Sequence, residues 1–355
     1  MKMQPGDEPM EALMRKSLPL RVVLLLVSVL CLTALTARPD AAFAQSEAPA
    51  KAITEDLLSS VVRIKTYINP DGRTVDNLGM ERDGSGIVID DSGLVLTIGY
   101  LMVEAHAAEL ITNDGRKIPA NVVGYDHDTG FGLLKAVAPL KVRPMLFGKS
   151  GDLKVGDPVL AASFGGRDGI APAFVVSRRE FAGTWEYLID GAIYTAPAHS
   201  HWSGAALITK EGKLVGVGSL IVGDAPGNGG GTAGNMYVPT DLLMPIMADL
   251  IANGSVGGEP KPWIGLNTQA ASGGLVVSRV TPNSPAEKAG IRKGDRITNI
   301  GGASPKTLPE FYRKLWSLGA AGILVPLDVE RDGKNQHFDV QSINRMDHLK
   351  LKSSL

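Results

Sequence analysis

The stretch GSGIVIDDSGLVLTIGYLM, residues 84–102, holds two apolar runs, Gly86-Ile87-Val88-Ile89 and Leu94-Val95-Leu96-Thr97, around the turn Asp90-Asp91-Ser92-Gly93. Short runs rich in β-branched residues and joined by Asp/Gly turn chemistry read as a β-hairpin. The same turn chemistry returns at Asn113-Asp114-Gly115-Arg116 and at Lys210-Glu211-Gly212-Lys213. From about Ser59 to Val238, short apolar runs alternate with Gly and Asp turns and show little helical periodicity. The chain is therefore expected to be mainly β, a barrel or a sandwich. Residues 223–234, GDAPGNGGGTAG, have no side chains with which to build a core and read as a surface loop.

Downstream the period changes. Thr240-Asp241 offers a helix start, and Leu242, Leu243, Ile246, Met247, Leu250 and Ile251 recur at helical spacing up to Asn253-Gly254. Pro245 falls early enough to be accepted near a first turn. Residues 254–262, GSVGGEPKP, carry almost no apolar content and read as a flexible interdomain linker. Behind it comes a second unit of strands with one amphipathic helix over residues 308–318, whose Leu308, Phe311, Leu315 and Trp316 face one way. A length of 355 residues suits two domains. The expected limits are a leader over 1–44, a first domain over 50–253, the linker over 254–262, a second domain over 263–342 and a tail over 343–355.

The leader shows Arg15, Lys16 and Arg21 ahead of the apolar run 22–37, with Ala42-Phe43-Ala44 as a small-x-small cleavage site. This is the pattern of a secretory signal peptide cut before Gln45, leaving no membrane span behind. Cys31, the single cysteine, lies within it and follows Leu30, which argues against a lipidated N-terminus. The exported chain would thus be free of thiols and disulfides and held by its cores alone. Lys and Arg number 36 against 37 Asp and Glu, so no excess positive charge is available for a phosphate backbone, and nucleic acid is excluded as a partner class.

The stretch AHSHWSGAAL, residues 198–207, reads as the surroundings of a nucleophilic serine, Ser203. His199 and His201 share a side with it if the segment is extended, which leaves open a local imidazole as its base. Neither has a carboxylate nearby in sequence to orient it. As a metal site the pair lacks a third ligand at any informative spacing, so no metal and no cofactor is expected. Gly148-Lys149-Ser150 echoes the end of a phosphate loop, but Arg143 stands where the earlier glycine is required.

Lys261-Pro262-Trp263-Ile264-Gly265-Leu266, Gly274-Leu275-Val276-Val277, Asn283-Ser284-Pro285-Ala286, Ala289-Gly290-Ile291 and Lys293-Gly294-Asp295-Arg296-Ile297 closely resemble, in order, a bacterial PDZ domain. Such domains add an extended peptide to a sheet edge while a short loop donates backbone N–H groups to its terminal carboxylate. The resemblance places that loop at Trp263, Ile264, Gly265 and Leu266, although Ile264 and Leu266 also suit the first strand's core. The chain's own end, Ser353-Ser354-Leu355, looks like a ligand for some PDZ domains, a match short enough to arise by chance.

Joined to that domain, Gly84-Ser85-Gly86-Ile87-Val88-Ile89 through Leu207, with Gly234-Asn235-Met236-Tyr237-Val238-Pro239 beyond, resembles the HtrA/Deg family of periplasmic serine proteases. The resemblance implies a trypsin-like double β-barrel followed by a PDZ domain. The family's T-N-x-H-V-V, whose His is the general base, falls on Thr97-Ile98-Gly99-Tyr100-Leu101-Met102, so Tyr100 stands at the base position. The D-x-x-T-D-L-A motif falls on Asp126-His127-Asp128-Thr129-Gly130-Phe131-Gly132, and Gly130 takes the place of the orienting acid. G-N-S-G-G-P-L falls on residues 201–207, keeping Ser203 but putting His201 where a glycine N–H helps form the oxyanion hole. A phenol is about one part in a thousand ionised at pH 7 and is a poor proton acceptor.

These departures lead to the expectation of an exported, periplasmic or secreted pseudoprotease. It would bind peptide C-termini or unfolded segments through its PDZ domain, in envelope quality control or signalling. The resemblance also implies a homo-oligomer. The alternative is an active endopeptidase using Ser203 with His199 or His201 as a non-standard base.

Overall fold

A computed structural model describes residues 53–351; the signal-peptide reading, Cys31 and the tail motif at 353–355 fall outside them. Six strands, β1 (Val61–Ile68), β2 (Glu81–Val88), β3 (Leu94–Ile98), β4 (Ala105–Ile111), β5 (Lys117–Tyr125) and β6 (Phe131–Ala136), close a first barrel in the order β1-β2-β3-β6-β5-β4. A second barrel is closed by β7 (Pro158–Ala162), β8 (Ile170–Gly183), β9 (Tyr187–Ala196), β10 (Ala206–Thr209), β11 (Leu214–Val222) and β12 (Gly234–Pro239), in the order β10-β11-β12-β9-β8-β7. The expected hairpin is β2–β3, its turn closed by the Leu94 amide donating to Asp90 Oδ1 at 2.8 Å.

Strands β3 and β12 are buried at every residue. The reason is that successive side chains of one strand enter different cores. Val95 and Leu134 point into the first barrel, whereas Leu96 and Leu133 join the core between the barrels. In the second barrel Leu207 and Tyr237 face its interior, while Ala206, Ile208, Met236 and Val238 face the first barrel. With both faces covered there is no polar alternation, and each large apolar side chain so buried stabilises the fold by about 1.5–3 kcal/mol.

The third sheet runs β13 (Leu266–Ala271), β14 (Gly274–Val280), β15 (Arg296–Ile300), β16 (Leu324–Arg331) and β17 (Lys334–Gln341), paired in sequence order, which leaves β13 at one edge. The helix Leu308–Ser317 lies over this sheet. Thr307 caps it, and Glu310 reaches back to the Lys306 amide at 2.7 Å. Its fully buried residues are Phe311, Tyr312 and Leu315; Leu308 and Trp316 are partly buried. Tyr312, absent from the expected apolar face, thus lies at its centre, with Trp316 stacked on it at 5.6 Å.

One expectation changes. The periodic segment 240–253 is split into a 3-10 turn at Thr240–Leu242 and an α-helix over Met247–Asn253, since Pro245 lacks the N–H a continuous helix needs. The 254–262 segment is irregular backbone, as expected, and is held at its two ends. Tyr125 donates to the Gly254 carbonyl, Ala321 to that of Pro260, and Lys261 pairs with Asp128 at 2.8 Å.

Candidate active site and peptide groove

Ser203 lies in the turn between β9 and β10. Its carbonyl accepts from the Ser85 amide at 2.8 Å, Gly204 donates to the Gly218 carbonyl at 2.9 Å, and Ala205 donates to that of Trp202 at 3.0 Å. The turn is thus stitched to β2 and to β11. Tyr100 arrives from the 3-10 turn Gly99–Leu101 that follows β3, where Arg82 donates to its carbonyl at 2.6 Å.

Tyr100 Oη is 2.8 Å from Ser203 Oγ and 2.9 Å from the Ser219 carbonyl. A carbonyl only accepts, so the single phenolic proton goes to Ser219 and the Ser203 hydroxyl must donate to Tyr100. Burial pushes the phenol up to about 12, with the bonds from Ser203 and Trp202 opposing it in part. At pH 7 about one molecule in a hundred thousand would carry a phenolate, so the oxygen facing Ser203 is a hydrogen-bond acceptor and a very weak base.

Gly130 follows at the head of β6 with φ +81°, and a Cβ there would lie 3.0 Å from Tyr187 Oη. Tyr187 donates to the Thr129 carbonyl at 2.6 Å, so a tyrosine hydroxyl fills the space beside this position. The nearby Asp126 carboxylate is turned into its own loop, taking the Thr129 amide at 2.8 Å and hydroxyl at 2.6 Å.

The two imidazoles near Ser203 in sequence are directed elsewhere. His199 is buried, its Nε2 is 3.3 Å from Ser163 Oγ, and its backbone is clamped on both sides by the Asn235 amide group at 2.6 and 3.0 Å. Burial lowers its pKa, with His201 adding to the effect. His201 is exposed and pairs with Ser200 Oγ at 3.1 Å. The rings are 5.8 Å apart, and neither makes a hydrogen bond to Ser203.

In the C-terminal sheet, Gly265 has φ +86° and a Cβ on it would meet Ser284 Cβ at 2.3 Å, so only glycine lets the Trp263–Leu266 loop approach. Trp263 pairs through its backbone with Ile343 and packs its ring on His348, 4.7 Å away. Ile264 and Leu266 are fully buried in the sheet's core. Their amides and that of Gly265 converge on one carboxylate, which belongs to Glu186 in the turn between β8 and β9. Leu266 and Gly265 donate to Oε1 at 2.8 and 2.7 Å, and Ile264 to Oε2 at 3.2 Å. Burial raises this carboxyl to about 7, against the three amides and Arg345, which lower it.

Sequence reasoning missed Glu186. A signal existed: Thr184-Trp185-Glu186 ends a hairpin at which glycine or asparagine is usual, and Glu186 holds φ +54° there. Nothing local says that its partner lies about eighty positions on. A cavity of about 590 Å³ opens beside this junction, walled by Tyr100, Ser203, Trp185, Tyr187, Trp263 and His348.

Two closed six-stranded barrels followed by a five-stranded sheet with a carboxylate loop define a trypsin-like fold joined to a PDZ fold. The sequence matches the trypsin-like peptidase domain over residues 84–217 and the PDZ domain over residues 262–341. It is 31% identical over 269 residues to a probable periplasmic serine protease do/HhoA-like of Haemophilus influenzae, covering 71% of this chain and 56% of that one. It is 29% identical over 273 residues to the periplasmic serine endoprotease DegP of Escherichia coli K12, covering 73% and 56%. The chain therefore spans little more than half the length of these curated relatives. A solved structure of an HtrA-type protease, an AlgW variant with tripeptide, superposes with a TM-score of 0.52 at 20% identity, covering 83% of this chain and 97% of that one, and bears on the fold alone. The chain belongs to the HtrA/Deg family.

Proposed function

We propose that this chain is a periplasmic HtrA-type protein that acts by binding peptides through its PDZ domain, while its trypsin-like domain serves as a non-cleaving scaffold. The relatives' names supply the compartment. The observation that carries the reading is the Ser203 hydroxyl donating to the neutral phenol of Tyr100, where a serine nucleophile needs a base to which it can lose that proton. Disabling a serine protease triad lowers kcat by about a millionfold, and loss of an oxyanion donor costs on the order of a hundred- to a thousandfold more. Homo-oligomer assembly and a ligand class of peptide C-termini or unfolded segments belong to the same proposal. The carboxylate held by Ile264, Gly265 and Leu266 supports that class, since the loop already binds the chemical group a peptide C-terminus presents.

The test is a fluorophosphonate probe applied to the wild type and to Ser203→Ala. The reading expects neither to be labelled above background. Labelling of the wild type that disappears in Ser203→Ala would establish an activated serine and an enzyme.

A further inference from the structure

A PDZ groove lies between a sheet edge and a helix, and here both walls already hold a segment of the chain itself. Thr268, on the free edge of β13, donates its backbone N–H to the Thr184 carbonyl at 2.8 Å, as a strand would to an added peptide. From the opposite wall, Tyr312 Oη donates to the Gly183 carbonyl at 2.6 Å and accepts from the Glu186 amide at 3.2 Å. Arg345, in the short helix after the sheet, donates to the Trp185 carbonyl at 3.3 Å. Ala182 and Leu188, flanking the tip, pack against the core of the PDZ sheet. At the end of this run the Glu186 carboxylate takes the three loop amides.

The backbone of Glu186 argues in the same direction. A left-handed conformation disfavours a residue with a side chain by roughly 1–2 kcal/mol, and the turn alone would be better served by glycine. Three hydrogen bonds to a buried carboxylate account for a charged residue in that place. Gly265, which cannot bear a Cβ, brings the loop close enough to make them.

We propose that the Gly183–Glu186 tip is a built-in ligand that latches the PDZ groove in cis, the Glu186 side chain standing in for a peptide's terminal carboxylate, so that an incoming C-terminus must displace it. The proposal rests on the reading of the groove as a peptide site. The same tip carries Trp185, which with Tyr187 walls the cavity beside Ser203.

The experiment uses the full exported chain and Glu186→Gly, which removes the carboxylate and suits the left-handed backbone; Tyr312→Phe, which loses the bond to Gly183, is the second variant. Two quantities are read: hydrogen exchange at the amides of 264–266, and binding of a fluorescein-labelled pool of decapeptides with an apolar last residue and a free carboxylate, beside its C-terminal amide. The latch predicts protected amides in the wild type, protection lost in Glu186→Gly and reduced in Tyr312→Phe, and at least tenfold tighter binding of the free-acid pool in Glu186→Gly with the amide pool unbound. Unchanged exchange at 264–266 in Glu186→Gly overturns the latch. So does free-acid binding of equal strength to wild type and variant. Exchange that opens without any peptide binding in either protein supports the self-contact and overturns instead the reading of the groove as a peptide site.

Discussion

Tyr100 Oη stands 2.8 Å from Ser203 Oγ and gives its own proton to the Ser219 carbonyl, so the serine hydroxyl is a donor into a neutral phenol. The pair is closed as a structural contact: one donor, one acceptor, and a carbonyl that completes the chain.

Removing the phenol should therefore cost stability and leave hydrolysis where it was. Tyr100→Phe strips Ser203 of its acceptor and the buried Ser219 of its carbonyl's donor, an expected loss of about 1–3 kcal/mol by urea denaturation. Casein turnover should be the same as in the wild type.

Restoring the family's residues by type should not restore the chemistry. In Tyr100→His with Gly130→Asp, the new aspartate must occupy φ +81° with its Cβ 3.0 Å from the Tyr187 hydroxyl. The double variant is expected to be less stable by about 1–3 kcal/mol and to hydrolyse no faster. Adding Tyr187→Phe, which removes the obstructing oxygen, should recover part of the stability.

The latch should weaken as the pH rises. Burial lifts the Glu186 carboxyl from 4.5 to about 7 in the closed form, with Tyr312 and Arg345 facing it, so closure favours the protonated group. The proton-linked part of closure is complete below about pH 4.5, declines between there and about 7, and is gone above. Hydrogen exchange at the amides of 264–266, corrected for its intrinsic pH dependence, should lose protection in the wild type on going from about pH 5 to about pH 8 and stay unprotected throughout in Glu186→Gly.

Glu104 should hold the C-terminal segment to the first barrel. Buried and at φ +64°, it takes the Arg73, Thr74 and Lys350 amides at 2.9, 2.8 and 2.7 Å and the Thr74 hydroxyl at 2.5 Å. Glu104→Ala is expected to cost about 2–4 kcal/mol and to speed hydrogen exchange at Lys350.

The barrels were legible because hairpin turns and dense apolar runs are local signals, and because a strand buried on both faces leaves a run such as Leu94–Ile98 with little polar interruption. The break at Pro245 was present in the sequence too, but apolar spacing across it hid the interruption. Ser203, Tyr100 and Gly130 were found through a family resemblance, and the hydrogen bond between the first two depends on turns that belong to two different barrels. His199 could not be placed from its spacing, since the Asn235 clamp that turns it toward Ser163 comes from another strand. Glu186 and Tyr312 were unreadable for the same reason: each looks like an ordinary turn or core residue until the hairpin meets the groove.

The most direct measurement of the account is casein turnover by the wild type beside Ser203→Ala at neutral pH, at equal concentration. Equal rates at the level of buffer alone are predicted on the proposed reading, since among the described residues the side chain hydrogen-bonded to Ser203 Oγ is the neutral phenol of Tyr100. A wild-type rate that stands clearly above background and falls in Ser203→Ala would contradict the account and return the chain to the active endopeptidases.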